Sequence, residues 1–425
     1  MTGPRPNLVH DRDFVRLWTA GTISQFGSQV SGLAIPLIAA TVLNVSPFEF
    51  GLLATIEFLP FILLSLPAGV WVDRLRRRPI LIVGDVGRAV ALATIPVAFT
   101  LDVLTIWQLY AVGFTVGCLT VFFDVAHQSY LPAVVERDQL VEGNSKLEIS
   151  RSAAQVLGPG IAGILIAWIG AAVAVAVDSL SFLVSAFFLF LIRRPEPDPR
   201  LTAQREPNES GPGMRREIVE GLRYVLGNRY LRSIAACTGS ANLFGTMAGA
   251  ILILYATRDL GLAAAEIGFI FGLGSVGFLV GALIASRVAA RIGVGPTIVA
   301  SSFLGWPAIL LLAIAPRELA LPFFVVAGVS GGLSVSIYNI NQVSFRQAIT
   351  PAQMQGRMNA TMRFFVFGTI PIGSLLGGFL GGVIGLHETI WVGAIGSFFP
   401  FLFVLFSPVR SIGQMPEPVA EPQPV

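Results

Sequence analysis

Apolar residues in this chain run together in stretches much longer than one face of a helix or strand needs, and the polar residues gather in the gaps. Stretches of the length that crosses a bilayer as a helix, about 20 residues, fall near 15–43, 50–72, 79–101, 106–131, 147–169 and 172–192. Six more fall near 232–256, 266–289, 296–315, 319–342, 359–384 and 389–407. The pattern predicts an all-α membrane protein with about twelve transmembrane helices in two six-helix bundles, the last two helices of the first bundle being joined by a tight hairpin at Gly170. Between the bundles, 193–228 is rich in Pro, Glu and Arg and buries no apolar surface, so it reads as a flexible linker. Its last part, Arg215 to Leu231, regains helical periodicity: Ile218, Leu222, Val225 and Leu226 share a face opposite Arg216, Glu220 and Arg223. That segment is either an amphipathic helix on the inner membrane surface or a cytosolic extension of the seventh span. The expected organisation is a bundle at 1–192, a cytoplasmic linker with an amphipathic helix at 193–231, a second bundle at 232–407 and a disordered cytoplasmic tail at 408–425.

Composition and charge sharpen this picture. The chain has 425 residues, of which 54% are hydrophobic and 12% charged, with a mean hydropathy of +0.74. Soluble domains carry about 25% charged residues, so the composition excludes an ordinary soluble domain. The net charge of +3 does not point to nucleic acid, because the arginines sit in loops beside spans. On the side of the N-terminus the loops hold Arg5, Arg12 and Arg16, Arg74 to Arg78, Arg137 and Lys146, Arg193 to Arg232, Arg287 and Arg291, Arg346 and Arg357, and Arg410. The opposite loops hold only Arg258 and Arg317. Basic residues are retained on the cytoplasmic side during insertion, so both termini are expected there, with the protein in the cell membrane. Cys118 and Cys237 fall inside apolar spans and read as small buried hydrophobes, with no disulfide framework. The polar segment Met1 to Asp13 leads into a span with no small-residue cleavage site, so no signal peptide is expected to be removed.

An internal repeat relates the two halves. A shift of 214 residues places Val121 on Val335, Gln128 on Gln342 and Gln139 on Gln353. Arg151-x7-Pro159 answers Arg363-x7-Pro371, Phe26-Gly27 answers Phe244-Gly245, and Glu49-x-Gly51 answers Glu266-x-Gly268.

Leu66 to Arg78 joins the second and third spans with a glycine, a carboxylate and four arginines. Gly69 permits close helix approach, and Asp73 is placed to cap a helix N-terminus or pair with an arginine. Gly69, Asp73, Arg74, Arg77 and Arg78 resemble the Gly-x-x-x-Asp-Arg-x-x-Arg-Arg loop signature of the major facilitator superfamily. That resemblance implies parallel six-span halves with the substrate path between them. The second half has no equivalent of Asp73; its matching stretch, Gly281 to Arg287, carries an arginine and no acid. Gly158-Pro159 and Gly163 resemble the Gly-Pro-x-x-Gly-Gly element of drug:proton antiporters, with Ala162 in place of one glycine; a glycine-rich packing seam is the alternative. Leu66 to Gly69, Phe123-Asp124-x-Ala126, Leu131-Pro132, Asn144-Ser145, Ser150 to Ser152 and Glu220 to Arg223 are similar to the twelve-span branch that contains macrolide efflux proteins and the enterobactin exporter. One departure is that span four lacks the mid-membrane arginine many drug:proton antiporters place beside their proton site.

Ionisable groups inside spans are costly and mark ion or substrate paths. The first half holds Glu57, Asp85, Arg88, Asp124 and Asp178, whereas the acids Asp259, Glu318 and Glu388 of the second half lie near span ends. Proton coupling is therefore expected in the N-terminal bundle. A carboxylate in a poorly solvated cavity binds a proton more readily than one in water. Glu57, twelve residues before Gly69 and with no basic residue one turn away, is the first candidate for a proton or substrate-cation site. Asp124, with His127 and Gln128 on the same face, and Asp178 follow; structural pairing with an arginine is the alternative for Asp124, and holding the bundle together for Asp178. Asp85 and Arg88 are expected to join Asp73 and Arg74 in a charge network locking the outward-facing state. Arg151 and Arg363 are expected to be gate or anchor residues, interfacial snorkelling being the alternative. Cavity-wall candidates are Gln25, Gln29, Phe58, Asn242, Phe244, Tyr338, Asn339 and Asn341.

The expected function is proton-coupled export of small amphipathic compounds such as drugs, antibiotics or siderophore-like metabolites, with a proton-coupled importer or a non-transporting membrane sensor as alternatives. The energy source is the proton gradient, no cofactor or metal is expected, and the partners are a small-molecule substrate and membrane lipid, the chain being a monomer. Only His10, His127 and His387 are present, without a His-Glu-x-x-His, Cys-His or Gly-x4-Gly-Lys arrangement, so an enzyme is not expected.

Overall fold

The computed structural model of the chain describes residues 8–136, 139–196 and 214–416; the side chains of 65, 66, 69, 70, 73, 74, 141, 214–218, 352, 353 and 367 lie outside that description. Among the described residues, twelve helical spans are long and apolar enough to cross a membrane. In chain order the helices are α1 (Arg12–Leu37, prolonged by a π-turn at Ile38–Val42), α2 (Pro47–Arg74), α3 (Arg77–Thr100), α4 (Ile106–Val134), α5 (Leu140–Ile169) and α6 (Ala171–Leu191). They continue with α7 (Met214–Gly227), α8 (Arg229–Arg258), α9 (Ala264–Ile292), α10 (Val294–Ile314), α11 (Ala320–Ala348), α12 (Ala352–Val383), α13 (Leu386–Gly396) and α14 (Pro400–Leu405). The α5–α6 hairpin turns at Gly170 with φ +81°, a conformation that a Cβ would strain.

Helices outrun the apolar stretches that predict them. α5 begins at Leu140, about two turns before its apolar run, because Lys146 and Glu142 pair at 3.4 Å one turn apart and carry the helix through its polar start. The final apolar run is broken rather than continuous: α13 stops at Gly396 and α14 starts at Pro400, whose ring supplies no N–H to a helix before it.

The chain divides into two compact units. The first holds Met1–Val45, Ile56–Glu209 and Ala263–Gly268, and the second Ser46–Thr55, Ser210–Leu262 and Phe269–Val425. The start of α2 thus belongs with the second unit and the start of α9 with the first. Both starts follow one recipe. Glu49 accepts the Ser46 backbone N–H at 2.8 Å, and Glu266 accepts that of Ala263 at 2.7 Å, so each glutamate satisfies a free donor at its helix N-terminus. Two residues on, glycine lets a second helix come close: a Cβ on Gly51 would lie 2.7 Å from Gly378 Cα of α12, and one on Gly163 of α5 would lie 2.7 Å from Gly268 Cα. The repeated Glu-x-Gly is a cap followed by a crossing point.

In the first unit Phe14, Leu17, Leu81, Tyr130, Leu131 and Leu189 bring α1, α3, α4 and α6 into one core. In the second, Ile234, Cys237, Ile298, Tyr338, Phe345 and Val404 do the same for α8, α10, α11 and α14.

The linker and the tail are more structured than their composition predicts. Glu196 accepts the backbone N–H groups of Arg77 at 2.7 Å and Arg78 at 3.2 Å, filling the N-terminus of α3 with an anion. Asp13 accepts those of Arg193 at 3.2 Å and Arg194 at 3.0 Å. Glu196, Arg194 and the Arg193 backbone N–H thus find partners in the first unit itself; 197–213 lie outside the described residues. α7 is a separate helix, ended before Asn228, whose side chain caps α8 by accepting from Tyr230 and Leu231. It docks on α12 through buried Val225 and a Glu220–Arg357 ion pair of 2.9 Å, and leaves Val219, Leu222 and Leu226 exposed. After α14, the chain packs back on α10, where the Gly295 N–H donates to Ile412 at 2.8 Å and Val409 is buried; 417–425 lie outside the described residues.

Replacing Gly51 by leucine should lower the thermal unfolding midpoint of the detergent-purified protein by the equivalent of about 1–3 kcal/mol, the usual penalty of overpacking. Leucine at Gly249, which has open space around it, should leave the midpoint within error.

Candidate functional site

α3 and α6 each turn a continuous stripe inward, and the charged residues lie on those stripes: Asp85 and Arg88 follow Leu81 and precede Leu92, while Asp178 lies between Val175 and Phe182. Asp85, Arg88 and Asp178 are 0%, 4% and 1% exposed, so these charges belong to the interior of the first unit. Arg88 donates from Nη2 to Asp85 Oδ1 at 2.5 Å, from Nε to the Gly84 carbonyl at 3.4 Å and from Nη1 to Thr120 of α4 at 3.5 Å. Its guanidinium carbon lies 4.1 Å from the centre of the Phe123 ring and 4.2 Å from that of Phe182. The cation is held between two π-faces, an arrangement worth about 2 kcal/mol or more per ring when desolvated.

Asp178 accepts a hydrogen bond from Ser181 at 3.0 Å, and Ser31 of α1 faces it. A Cβ on Gly27 would lie 2.5 Å from Asp178 Oδ1, so glycine is what lets α1 approach the carboxylate. Asp85 keeps one oxygen, Oδ2, without a partner, and the buried hydroxyl of Ser185, its polar neighbour on α6, has no hydrogen bond of good geometry either. Asp124 of α4 is exposed and lies within electrostatic reach of Arg88 and Arg151. The His127 ring stacks on Phe123 at 5.7 Å, with Nε2 unpartnered. The structure therefore gathers Asp85, Arg88, Asp124 and Asp178 into one neighbourhood.

Glu57 stands apart from it. Its side chain lies over α4, where a Cβ on Gly113 would be 2.9 Å from Glu57 Cγ, and among the described residues it makes no ion pair or hydrogen bond. Of the expected gate residues, Gly69, Asp73 and Arg74 have side chains outside the described ones. Arg77 pairs with Glu196 at 3.6 Å, and Arg78 donates to the Leu189 and Phe190 carbonyls at 3.1 and 2.5 Å, closing the C-terminus of α6. Asp85 and Arg88 are paired with each other. Arg151 approaches Glu148 at 3.9 Å on an exposed face, and Arg363 is exposed with Arg346 as a charged neighbour. Gly158 meets the Gln29 side chain, and Gly268 would place a Cβ 2.9 Å from the Pro159 carbonyl, so Gly158, Pro159 and Gly163 all lie where other helices pass close.

The cavity-wall candidates scatter. Tyr338 is buried and shares a 2.8 Å hydrogen bond with Thr238; Asn341 is buried and donates to its own helix at Ile337. Asn242 donates to Val366 of α12 at 3.3 Å, Asn339 accepts from Gln342 at 3.5 Å, and Phe244 packs against Gly396. Phe58 is exposed beside Phe61, Gln29 lies against Gly158, and Gln25 keeps a buried oxygen without a partner. Sequence reasoning names Phe123 only as part of a family resemblance and passes over Phe182, Ser185 and Glu196; only the i,i+4 spacing of Asp178 and Phe182 hints at a shared face. Chemically, carboxylates grouped around a buried cation can hold a proton or small cation, and an isolated half-buried glutamate can do the same.

Comparison with known proteins gives the context. A family described as transmembrane secretion effector matches residues 8–423. The chain is 28% identical over 362 residues to the multidrug efflux pump Tap of Mycolicibacterium fortuitum, covering 81% of this chain and 84% of that one. It is 24% identical over 348 residues to the enterobactin exporter EntS of Salmonella typhi, covering 81% and 80%. Among solved structures, a bacterial homologue of the iron transporter ferroportin in an inward-facing state superposes with a TM-score of 0.72 at 16% identity, covering 93% of this chain and 98% of that one. The nucleoside transporter NupG superposes at 0.68 with 12% identity, over 93% and 98% of the two chains. At these identities the two structures show a common fold.

Arg88→Ala should strand Asp85 in the interior and destabilise the protein by about 3–5 kcal/mol. Arg151→Ala, which removes a long exposed pair, should cost less than about 1 kcal/mol. Thermal unfolding of the two purified variants side by side measures the difference.

Proposed function

The chain belongs to the transmembrane secretion effector family of the major facilitator superfamily, and on that premise we propose that it exports small amphipathic compounds such as drugs, antibiotics or siderophore-like metabolites. It is a multi-pass membrane transporter. The observation that carries the direction of transport is that two relatives aligned over four-fifths of this chain are a multidrug efflux pump and an enterobactin exporter. Export draws on the proton gradient, protons entering as substrate leaves, and needs no cofactor. Alternating access, in which the substrate path opens to one side of the membrane at a time, is the transport cycle of this reading. Glu57 is the first candidate to carry the proton, since it is half-buried beside α4 with no counter-ion among the described residues. The arginine-rich loops support cytoplasmic termini for a cell-membrane protein, and in this reading it acts as a monomer. Gly69, Asp73, Arg74, Arg77 and Arg78 form the cytoplasmic gate in this reading.

Cells expressing the protein should accumulate less ethidium than cells without it, and the difference should disappear when a protonophore collapses the gradient. Greater accumulation in the expressing cells would make the protein an importer; a difference that survives the protonophore would remove the proton from the mechanism.

A further inference from the structure

We propose that Asp85, Arg88 and Asp178 form a proton-binding cluster of their own, distinct from Glu57, in which one proton is shared between two carboxylates and the arginine pairs with whichever carboxylate is ionised. Its role in transport rests on the proton coupling proposed above; the binding of the proton does not.

The first support is a charge count. Two carboxylates and one guanidinium lie in the interior, at 0%, 1% and 4% exposure, which leaves one negative charge in excess. A buried charge without a counter-charge is among the most costly arrangements a protein can hold, and the usual resolution is to neutralise it. One bound proton makes the cluster neutral.

The second support is the unused hydrogen-bonding capacity within it. Arg88 contacts Asp85 through Oδ1, while Oδ2 of the same carboxylate has no partner. The hydroxyls of Ser185 from α6 and Ser31 from α1, which face Asp85 and Asp178, also lack partners of good geometry. Buried polar atoms without partners are rare and ask for an explanation. A proton that sits on one carboxylate in one state and on the other in the next needs such spare acceptors and donors in both positions.

The third support is the seat of the arginine. Its guanidinium is sandwiched between Phe123 of α4 and Phe182 of α6, and its Thr120 and Gly84 contacts are long, at 3.5 and 3.4 Å. The rings hold the plane of the cation by its faces, leaving its edges free to exchange partners. Every packed helix contributes a known set of groups. α1 brings Ser31; α3 brings Asp85 and Arg88; α4 brings Thr120, Asp124 and His127; α5 brings Arg151; α6 brings Asp178, Ser181 and Ser185. Asp124 is exposed and lies within electrostatic reach of Arg88, so it is the carboxylate of this neighbourhood that is open to the surroundings.

When the proton is on Asp178, Arg88 stays on Asp85 as seen. When it moves to Asp85, the guanidinium edge turns to Asp178. No bond other than O–H forms or breaks, and net charge is conserved in the exchange.

Infrared difference spectra of the purified protein at neutral pH test this directly through the carbonyl band of a protonated carboxylic acid, identified by its shift in heavy water. Relative to the unmodified protein, Asp85→Asn and Asp178→Asn should each lose one carboxyl equivalent, because either change leaves one carboxylate balanced by Arg88. Arg88→Gln should gain about one equivalent, because both carboxylates must then be neutral. Glu57→Gln should leave this cluster's contribution in place, so that the double variant Glu57→Gln, Asp178→Asn loses one equivalent more than Glu57→Gln alone. Elution volume and thermal midpoint identify any variant that fails to fold, and two independent aspartate variants together with the opposite sign for Arg88→Gln keep the test decisive. Aspartate variants that both retain the full band would overturn the proposal. If the band behaves as expected but an imposed pH step drives no ethidium across liposomes containing the unmodified protein, the proton-coupling reading fails while the proton-binding cluster stands.

Discussion

A guanidinium in the interior of a membrane-spanning unit has no water to screen it, so its surroundings must supply the compensation. At Arg88 a carboxylate lies along one edge, at 2.5 Å, with a phenylalanine ring against each face. These contacts come from α3, α4 and α6, so the requirement to compensate one charge fixes three helices relative to one another. The close packing around them is a consequence. Ser179 of α6 donates to the Ala89 carbonyl of α3 at 2.8 Å, one residue from the arginine, and Gly27 lets α1 come up against Asp178. Removing the cation would therefore be felt through the packing of a whole face, since its partners are left without compensation in a medium that tolerates none.

The rest of the fold is assembled from weaker and more repetitive devices. Helices packed in lipid gain little from apolar burial alone, so close approach through glycine and the satisfaction of helix ends carry more of the specificity. Glu49-x-Gly51 and Glu266-x-Gly268 do both jobs within three residues, once in each half of the chain. Elsewhere the ends of helices are closed by groups from distant sequence: Glu196 at the start of α3, and Arg78 at the end of α6. Charged residues of the basic loop and of the linker thus have structural duties at helix ends.

How far the sequence could be read follows from what kind of signal each feature leaves. Spans leave a composition signal over some twenty residues, and they were legible, as was the hairpin at Gly170. The repeat was legible as a pattern, while its meaning required coordinates, because a cap and a crossing glycine look alike in one dimension to any acid and any glycine. The i,i+3 spacing of Asp85 and Arg88 showed that the two could meet; that they are enclosed by Phe123 and Phe182 could not be read among 31 phenylalanines. Glu196 was hidden for a different reason. Its Pro- and Arg-rich surroundings have the composition of a flexible segment, and the partner it satisfies, a helix N-terminus, consists of backbone N–H groups that have no sequence signature. The break before Pro400 was masked by the apolar residues on both sides of it.

The two units also differ in how they satisfy interior polarity. In the second, the buried pairs are neutral: Tyr338 with Thr238, Cys237 with Ser302, Ser334 with the Ser301 carbonyl. Neutral pairs are satisfied in place and respond little to a change in proton concentration. In the first, the buried polar groups are ionic and incompletely satisfied, with the open oxygen of Asp85 and the hydroxyls of Ser31 and Ser185 left over. Buried polar atoms without a partner occur in the second unit as well, at Ser336, Gln342 and Ser397, so what sets the first apart is that its unpartnered groups stand beside buried charges. The asymmetry of the chain, halves alike in helices and unlike in charge, thus lies in its interior: among the described residues the fully buried ionic groups, Asp85, Arg88 and Asp178, all belong to the first unit.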